Sequence, residues 1–445
     1  MMIEPSKGMG TPRQRERKGR LRLRHQFTRW GAGVGLPMLT LAQLRAEDQV
    51  GYRHEFYQED NGRIQLETES LLVQKILTPW LDLKVSATYD AISGATPTGV
   101  PAADSFTLHP TGTTFSIPGT AITTFHKAGS VDAVSGASPS SSAQPIPSSS
   151  VPVANVKDIR RAFDVSAGLT YGPHRLTPEF SYSQETDYLS YSGGLNYALE
   201  LNEKNTTLKA GWSHSGDRII PNANTFITQD EFKDSDDFLL GVTQLLGPKT
   251  VLDLDLTLGF AEGYFDDPYR GVIFEGTLPF PRKTLTIYEE KRPSTHDQQI
   301  ARVSLTQAIS PLNASVEASY RYYHDSLEIH AHTVSLAWHQ KVGSFLVLSP
   351  SFRYYWQTAA SFYGTIFPGD PVTDPAAVPA YYSADYRLSA LETFTFGIQA
   401  TIKLREWLGL DFGYQRYVMN GLDGVTSQSA YPSANIFTIG ARVWF

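Results

Sequence analysis

The chain has 445 residues, a formal net charge of −7 and no cysteine. The absence of cysteine excludes disulfides, thiolate metal sites and cysteine nucleophiles, and the weak negative charge gives no support for nucleic-acid binding. A mean hydropathy of −0.25 and the lack of an 18-residue apolar run exclude a helical membrane protein. They do not exclude a β-barrel, in which every second residue of a span is polar.

The N-terminal segment resembles a targeting sequence. Residues 13–29 are strongly basic, residues 31–42 are mostly small or apolar, and a small residue, Ala46, precedes Glu47 and Asp48. This order is typical of a signal peptide, which we predict over residues 1–46. The alternative is a basic arm that binds nucleic acid.

From residue 49 onward, apolar and polar residues alternate in segments that are separated by turn residues. In residues 252–260, for example, leucines and a phenylalanine alternate with aspartates, threonine and glycine, which is the period of a β-strand. The pattern predicts about 16 strands, at 50–58, 63–76, 80–91, 158–171, 174–184, 190–202, 206–216, 236–246, 250–262, 298–309, 313–324, 328–340, 345–358, 391–404, 407–418 and 434–445.

The connections between these segments are alternately short and long. The short turns include Thr78-Pro79, Gly172-Pro173 and Ser310-Pro311, and the long connections span 92–157, 217–235, 263–297, 359–390 and 419–433. Bacterial outer-membrane barrels have short periplasmic turns and longer extracellular loops. The sequence therefore predicts an all-β, transmembrane antiparallel barrel over residues 47–445, in which 92–157 is a long Ser/Pro-rich extracellular loop. A soluble β-sandwich is the alternative.

The final segment favours the barrel. Phe437, Ile439, Ala441, Val443 and Phe445 alternate with more polar residues up to the last position. An apolar side facing lipid and a polar side facing a lumen would produce this pattern. We expect strand 434–445 to close the barrel against the strand near 50–58.

No catalytic constellation is visible, so we predict no enzymatic activity, no cofactor and no metal. His330 and His332 share a strand face, but no further ligand lies nearby, which favours interfacial histidines over a metal site. The acidic stretches at 234–237 and 266–267 match no calcium-loop pattern. Solvated surface is the preferred interpretation for both.

The predicted lumen face carries interleaved charges of both signs. Its candidate lumen-lining residues are Asp253, Asp255, Arg302, Glu317, Arg321 and Arg353. Three arginines on neighbouring strands would form a basic stripe, and carboxylates facing them would create a field across a selective pore. Simple pairing of buried charges is the equally supported alternative.

Several stretches together resemble a known family. They include Tyr57-Gln-Glu-Asp-Asn-Gly-Arg-Ile64, the more specific Ser93-Gly94-Ala95-Thr96-Pro97, and Gly263-Tyr-Phe-Asp-Asp267-Pro268-Tyr269-Arg270. The chain is similar, from about residue 50 to 445, to the domain of unknown function three-five-seven-zero family of Gram-negative outer-membrane barrels. Ser93–Pro97 and Asp267–Tyr269 are expected to form ordered motifs at the extracellular mouth, as a loop clamp or a ligand site.

The resemblance implies a location in the outer membrane but no established activity. Members of this family are often encoded beside a flavin-attaching transferase, a small lipoprotein and a thioredoxin-like protein. The resemblance therefore implies a role in extracytosolic flavin-based electron transfer, with a periplasmic or surface redox lipoprotein as partner. We expect a pore, transporter or conduit embedded in outer-membrane lipid; a general diffusion porin and a closed structural or adhesive barrel are the alternatives.

Overall fold

A computed structural model describes residues 48–97, 116–117, 120–125, 153–222, 225–277 and 283–445. The predicted signal peptide and the Ser/Pro-rich stretch 135–150 lie outside these ranges. Sixteen strands form one closed barrel, in which neighbours along the chain pair antiparallel. The strands are β1 Gln49–Glu59, β2 Ile64–Thr78, β3 Leu81–Pro97, β6 Val153–Tyr171, β7 His174–Gln184, β8 Tyr188–Leu201, β9 Thr206–Ile219, β10 Glu231–Gly247, β11 Thr250–Gly263, β14 Thr295–Ile309, β15 Ala314–Asp325, β16 His330–Val342, β17 Leu346–Gln357, β19 Leu391–Arg405, β20 Leu408–Gly421 and β21 Ala434–Trp444.

The barrel closes where the sequence predicts. Strand β21 pairs with β1 along its whole length, with Val443 opposite Val50 and Phe437 opposite Phe56. Closure leaves no open sheet edge, and every backbone group of a span can be paired within the wall. The predicted count of 16 strands and the barrel class are confirmed.

The alternation of side chains separates an apolar outer wall from a polar inner wall. On β11, Leu254, Leu256 and Leu258 are exposed on the outside, and the intervening Asp253 and Asp255 therefore face inward. Directly opposed residues of paired strands lie on the same face, so the register assigns a side to every residue. Exposed leucines and aromatic residues suit contact with lipid acyl chains.

Strands β3 and β6 are longer than the sequence pattern indicates. They stay paired as far as Pro97 opposite Val153, with Ser93 opposite Lys157. The predicted connection 92–157 therefore begins and ends within this ladder. Glycine and proline interrupt the alternating sequence pattern at the end of β3. The backbone hydrogen bonds between β3 and β6 do not require alternating side chains, so the two strands stay paired. Strands of 17 and 19 residues exceed the 9–11 residues of a typical span.

The two ends of the barrel differ. Short turns at one end use left-handed residues, such as Gly172 with φ +56° and Asn313 with φ +51°; the long connections all lie at the other end. In the described part of the chain, no helix has both the length and the apolarity to cross a bilayer.

A second, smaller sheet is built from the long connections. Its strands are β12 Gly271–Thr277, β13 Lys283–Glu289, β18 Ile366–Pro368, β5 Thr120–Phe125 and β4 Ser116–Ile117, in the order β18-β12-β13-β5-β4. Phe274, Tyr288, Phe367 and Tyr382 bury their rings together between β12, β13 and the segment after β18. We call the described residues 264–277, 283–294 and 358–390 the cap.

Candidate functional site

The cap leaves the barrel at a position that requires glycine. Gly263 ends β11 with φ +128°, and a Cβ atom there would lie 2.3 Å from the carbonyl oxygen of Phe232. The Gly263 N–H donates to Ser294 O at 2.8 Å, and the Tyr264 N–H donates to Phe232 O at 2.9 Å. A left-handed backbone and close strand contact thus turn the chain out of the wall and into the cap.

A buried ionic cluster joins the two loops of the cap. The carboxylate of Asp385, which is fully buried, lies 2.9 Å from Arg292 Nη2 and accepts from Arg387 Nε at 2.8 Å. The other members pair around this centre: Arg292 with Glu290 at 2.6 Å, Arg387 with Asp267 at 2.8 Å, and Arg270 with Asp385 at 3.5 Å. We call Asp267, Arg270, Glu290, Arg292, Asp385 and Arg387 the ionic cluster.

The cluster contains three arginines and three carboxylates, and its electrostatics are strongly perturbed. Burial alone would raise the pKa of Asp385, but Arg270, Arg387 and Arg292 together hold it well below its usual range. Burial would likewise raise the pKa of Asp267, but the positive charges of Arg270 and Arg387 outweigh it and lower that pKa. Because a buried charge is tolerated only when it is paired and hydrogen-bonded, the two loops are held in one mutual arrangement.

The acidic stretch at 266–267 is not solvated surface, contrary to the sequence interpretation. Asp266 lies inside the cap and accepts a hydrogen bond from the Arg292 backbone N–H at 2.5 Å. Burial and the nearby Glu290 raise the pKa of Asp266 to about 7. No local pattern indicates this burial, because Arg292, which donates to Asp266, is 26 residues further along the chain.

The cap reaches into the extracellular mouth of the barrel. Tyr386 is buried against Leu391 and Tyr431 and packs on Tyr355 of β17. Gln357 Nε2 donates to the carbonyl oxygens of Arg387 at 2.9 Å and Ser389 at 2.8 Å. Tyr355 and Gln357 are on the inner face of β17, since Phe352 and Tyr354 are opposite the lipid-facing Leu336 and Val334. The ionic cluster therefore holds Tyr386 over the lumen.

The two predicted mouth motifs occupy different positions. Asp267 is part of the ionic cluster, and Tyr269 donates its hydroxyl to Asp187, in the turn between β7 and β8. Pro268 accepts a hydrogen bond from the Phe226 N–H at 2.7 Å. Ser93–Pro97 instead continue β3 as regular strand, and no contact among the described side chains joins them to Asp267–Tyr269.

The predicted lumen residues all lie on the inner face by strand register. Asp253 and Asp255 bind the same lysine, with Lys209 Nζ at 2.5 and 2.6 Å, and Arg302 lies 3.4 Å from Asp255. These carboxylates therefore neutralise cations beside them on the wall and do not face the arginines across the lumen. This favours the pairing interpretation for Arg302.

The other three lumen candidates lie on β15 and β17. Arg321 is directly opposite Arg302, so these two form the start of the expected stripe. Arg353 is opposite Ser335, two residues along β16 from the partner of Arg321. Glu317 is on the same face, one inward position beyond Ser319.

Among the described residues, two groups have the chemistry of metal ligands. His330 and His332 lie on the outer wall, where Tyr322 and Tyr320 hydroxyls engage their Nδ1 atoms at 2.8 and 2.7 Å, as interfacial histidines would. Asp158, Glu185 and Asp187 place carboxylate oxygens within 4.8 Å of one another, a spacing that could hold a cation. The sequence does not reveal this second group, because Asp158 is far in the chain from Glu185 and Asp187.

Solved structures resemble the barrel at low sequence identity. The siderophore receptor PirA from Pseudomonas aeruginosa matches 88% of this chain with 9% identity and a TM-score of 0.39, and the chain spans only 61% of that receptor. OmpT, an outer-membrane protein of Vibrio cholerae, has 12% identity over 89% of this chain and 97% of its own, with a TM-score of 0.38. OccK5 (OpdH) of Pseudomonas aeruginosa has 7% identity over 90% and 98%, with a TM-score of 0.40. No curated protein is significantly similar in sequence.

A closed, even-stranded antiparallel barrel with an apolar outer wall and short turns at one end is the architecture of bacterial outer-membrane proteins. The protein is therefore an outer-membrane β-barrel. A family model matches residues 37–435, and the chain belongs to the family described as protein of unknown function (DUF3570).

Proposed function

We propose that the barrel is a passage for polar solutes across the outer membrane and that the cap controls access to it. A barrel of 16 strands is wide enough for an aqueous lumen unless a loop fills it. The inner wall is polar and charged, as the lining of such a lumen requires. The observation that carries the proposal is the buried ionic cluster, which holds Tyr386 over the mouth.

The cap distinguishes this proposal from its two rivals. A general diffusion porin would conduct steadily, because nothing would close its mouth. A structural or adhesive barrel would not conduct even with the cap displaced. A capped passage conducts rarely when the cluster is intact and readily when it is broken.

Single-channel recording of the purified protein in planar bilayers tests the proposal. We expect long closed intervals with brief openings for the wild type. A steady open level would instead identify a diffusion porin. The absence of openings, both in the wild type and in a variant with a broken cluster, would leave only the closed barrel.

The more specific proposal is that the passage serves extracytosolic flavin-based electron transfer. Its support is the family resemblance, together with a cap that is closed by the protein's own contacts and that a partner would have to open. In cells, we expect a surface-impermeant oxidant to oxidise a periplasmic flavoprotein faster when this barrel is present. Equal oxidation rates with and without the barrel would rule out this role and leave solute passage untouched.

A further inference from the structure

Directly beneath Tyr386, the inner wall carries two adjacent rows of arginine and hydroxyl side chains. The first row crosses strands β15, β16, β17 and β19 and ends there, because Met419 is the next residue in register on β20; the second crosses β16, β17, β19 and β20. The first row is Arg321, Thr333, Tyr355 and Thr393, and the second is Ser335, Arg353, Thr395 and Tyr417. Opposed residues face the same way, so all eight side chains project toward the lumen. We call these residues the arginine–threonine wall.

Three hydroxyls of this wall are buried without a partner. Thr333, Thr393 and Thr395 are only 6%, 2% and 8% exposed, and no described group hydrogen-bonds to the Oγ1 atom of any of them. Buried side-chain oxygens are nearly always hydrogen-bonded, since leaving one unpaired is unfavourable. Three unpaired hydroxyls on one face indicate that this part of the wall accommodates a polar group in the functioning protein.

The charge of the wall favours an anion as that group. Arg321 and Arg353 lie two strands apart on the adjacent inward rows, and both interact electrostatically with the Tyr355 hydroxyl. The carboxylates of Asp325 and Glu59 have hydrogen-bond donors of their own. Asp325 accepts from the Tyr323 hydroxyl at 2.6 Å and from two backbone N–H groups, and Glu59 accepts from the Tyr57 hydroxyl at 3.1 Å.

We propose that the arginine–threonine wall is a binding site for an oxyanion, the phosphate or carboxylate group of a permeating solute. Guanidinium groups bind phosphate and carboxylate groups alike through paired N–H donors. The threonine and tyrosine hydroxyls of the wall add further donors. The inference rests on the proposed passage, for which it names the substrate class. Tyr386 above the wall would block access to the site from the extracellular side until the cap opens, whereas the opposite end of the lumen carries no part of the cap.

Binding to the purified full-length barrel in detergent tests the site independently of conduction. Isothermal titration would use inorganic phosphate, succinate and, as a control anion, chloride. We expect saturable binding of phosphate or succinate, weakened at least tenfold in Arg321→Gln and in Arg353→Gln. Thr395→Val, which removes one hydroxyl at nearly constant volume, is expected to weaken binding about threefold. The stronger of the two ligands identifies the group as phosphate or carboxylate.

Arg175→Gln is the matched control, because Arg175 lies on the inner face of a distant strand and pairs with Asp82 at 2.8 Å. It should leave binding unchanged, and an unaltered heat-modifiable gel shift would show that each variant is a folded barrel. No saturable binding to the wild type, or equal binding in Arg321→Gln, Arg353→Gln and Arg175→Gln, would overturn the site. Anion binding without any channel activity would support the binding site and contradict the proposed passage. Conduction without anion binding would support the passage and contradict the binding site.

Discussion

Replacing Asp385 by Asn should detach the cap while leaving the barrel intact. The substitution preserves the shape of the side chain but removes the carboxylate on which Arg270, Arg292 and Arg387 converge. Three arginines would then share two carboxylates, Asp267 and Glu290. The wall should be unaffected, because its strand ladder closes without any cap residue.

The expected size of the effect follows from the burial of Asp385. Removing one partner of a buried ion pair typically costs about 3–5 kcal/mol. Because about 1.4 kcal/mol changes an equilibrium tenfold, the population of the open cap should rise by roughly 10² to 10⁴. Limited proteolysis of the intact protein measures this population when opening is fast relative to cleavage.

We therefore expect faster cleavage within residues 264–294 and 358–390 of Asp385→Asn, with an unchanged heat-modifiable barrel on gels. Asp230→Asn is the matched control, because Asp230 pairs with Arg218 at 2.5 Å and both residues lie outside the cap. Cleavage at the wild-type rate in Asp385→Asn would refute the idea that the ionic cluster holds the cap.

Three other substitutions probe the cap and the lumen. Burial raises the pKa of Asp266 from 3.8 to about 7, so the folded cap retains a proton that the unfolded cap releases; cap stability should fall as pH rises from about 4 to about 7. Asp266→Asn should reduce this fall, as measured by hydrogen–deuterium exchange corrected for intrinsic rates; Glu290, whose pKa burial also raises, accounts for a remaining part. An unchanged pH profile would contradict the assignment. Gly263→Ala should loosen the cap, since its Cβ would collide with the β10 backbone; wild-type exchange protection of residues 264–277 would count against this. Arg321→Glu should shift the reversal potential under a salt gradient toward cation selectivity, and an unaltered potential in an open channel would show that this arginine does not line the passage.

The barrel was predictable because its physics is local and repetitive. Alternation over 252–260 or 437–445 needs only the two-residue period of a strand and a lipid phase on one side. The alternately short and long connections then gave the orientation of the hairpins. The predicted strand ends are less accurate. At Ser93–Pro97, for example, backbone pairing continues beyond the point where the alternating side-chain pattern stops.

The cap was not predictable by the same means. Its strands β12, β13 and β18 have seven, seven and three residues, too short for periodicity to stand out. The pairing of β12 with β18 is parallel and joins Ile273 to Ile366, which no local pattern encodes. Arg292 and Asp385, whose contact anchors the cluster, are 93 residues apart. Acidic residues in long loops therefore suggested solvent exposure, whereas the fold buries them among arginines.

For the candidate lumen residues, the sequence predicts the side of the wall but not the ion pairs. Alternation placed Asp253, Asp255 and Arg302 on one face, which the strand register matches. It could not show that Lys209 would take up both aspartates, because that depends on which strands are neighbours and on their stagger. The threonine hydroxyls beneath Tyr386 gave no signal at all, since threonine is common on either face of a strand.

The most direct test of the capped passage is to lock the cap chemically and record conductance. Lys291 and Tyr382 exchange backbone hydrogen bonds at 2.9 and 2.8 Å between the two cap loops, so cysteines at these positions are suitably placed for a disulfide. The chain has no other cysteine. With Lys291→Cys and Tyr382→Cys in one protein, we predict almost no single-channel openings under oxidising conditions and, after reduction, the brief openings that are expected of the wild type. An equal frequency of openings in the oxidised and the reduced protein would contradict control of the passage by the cap.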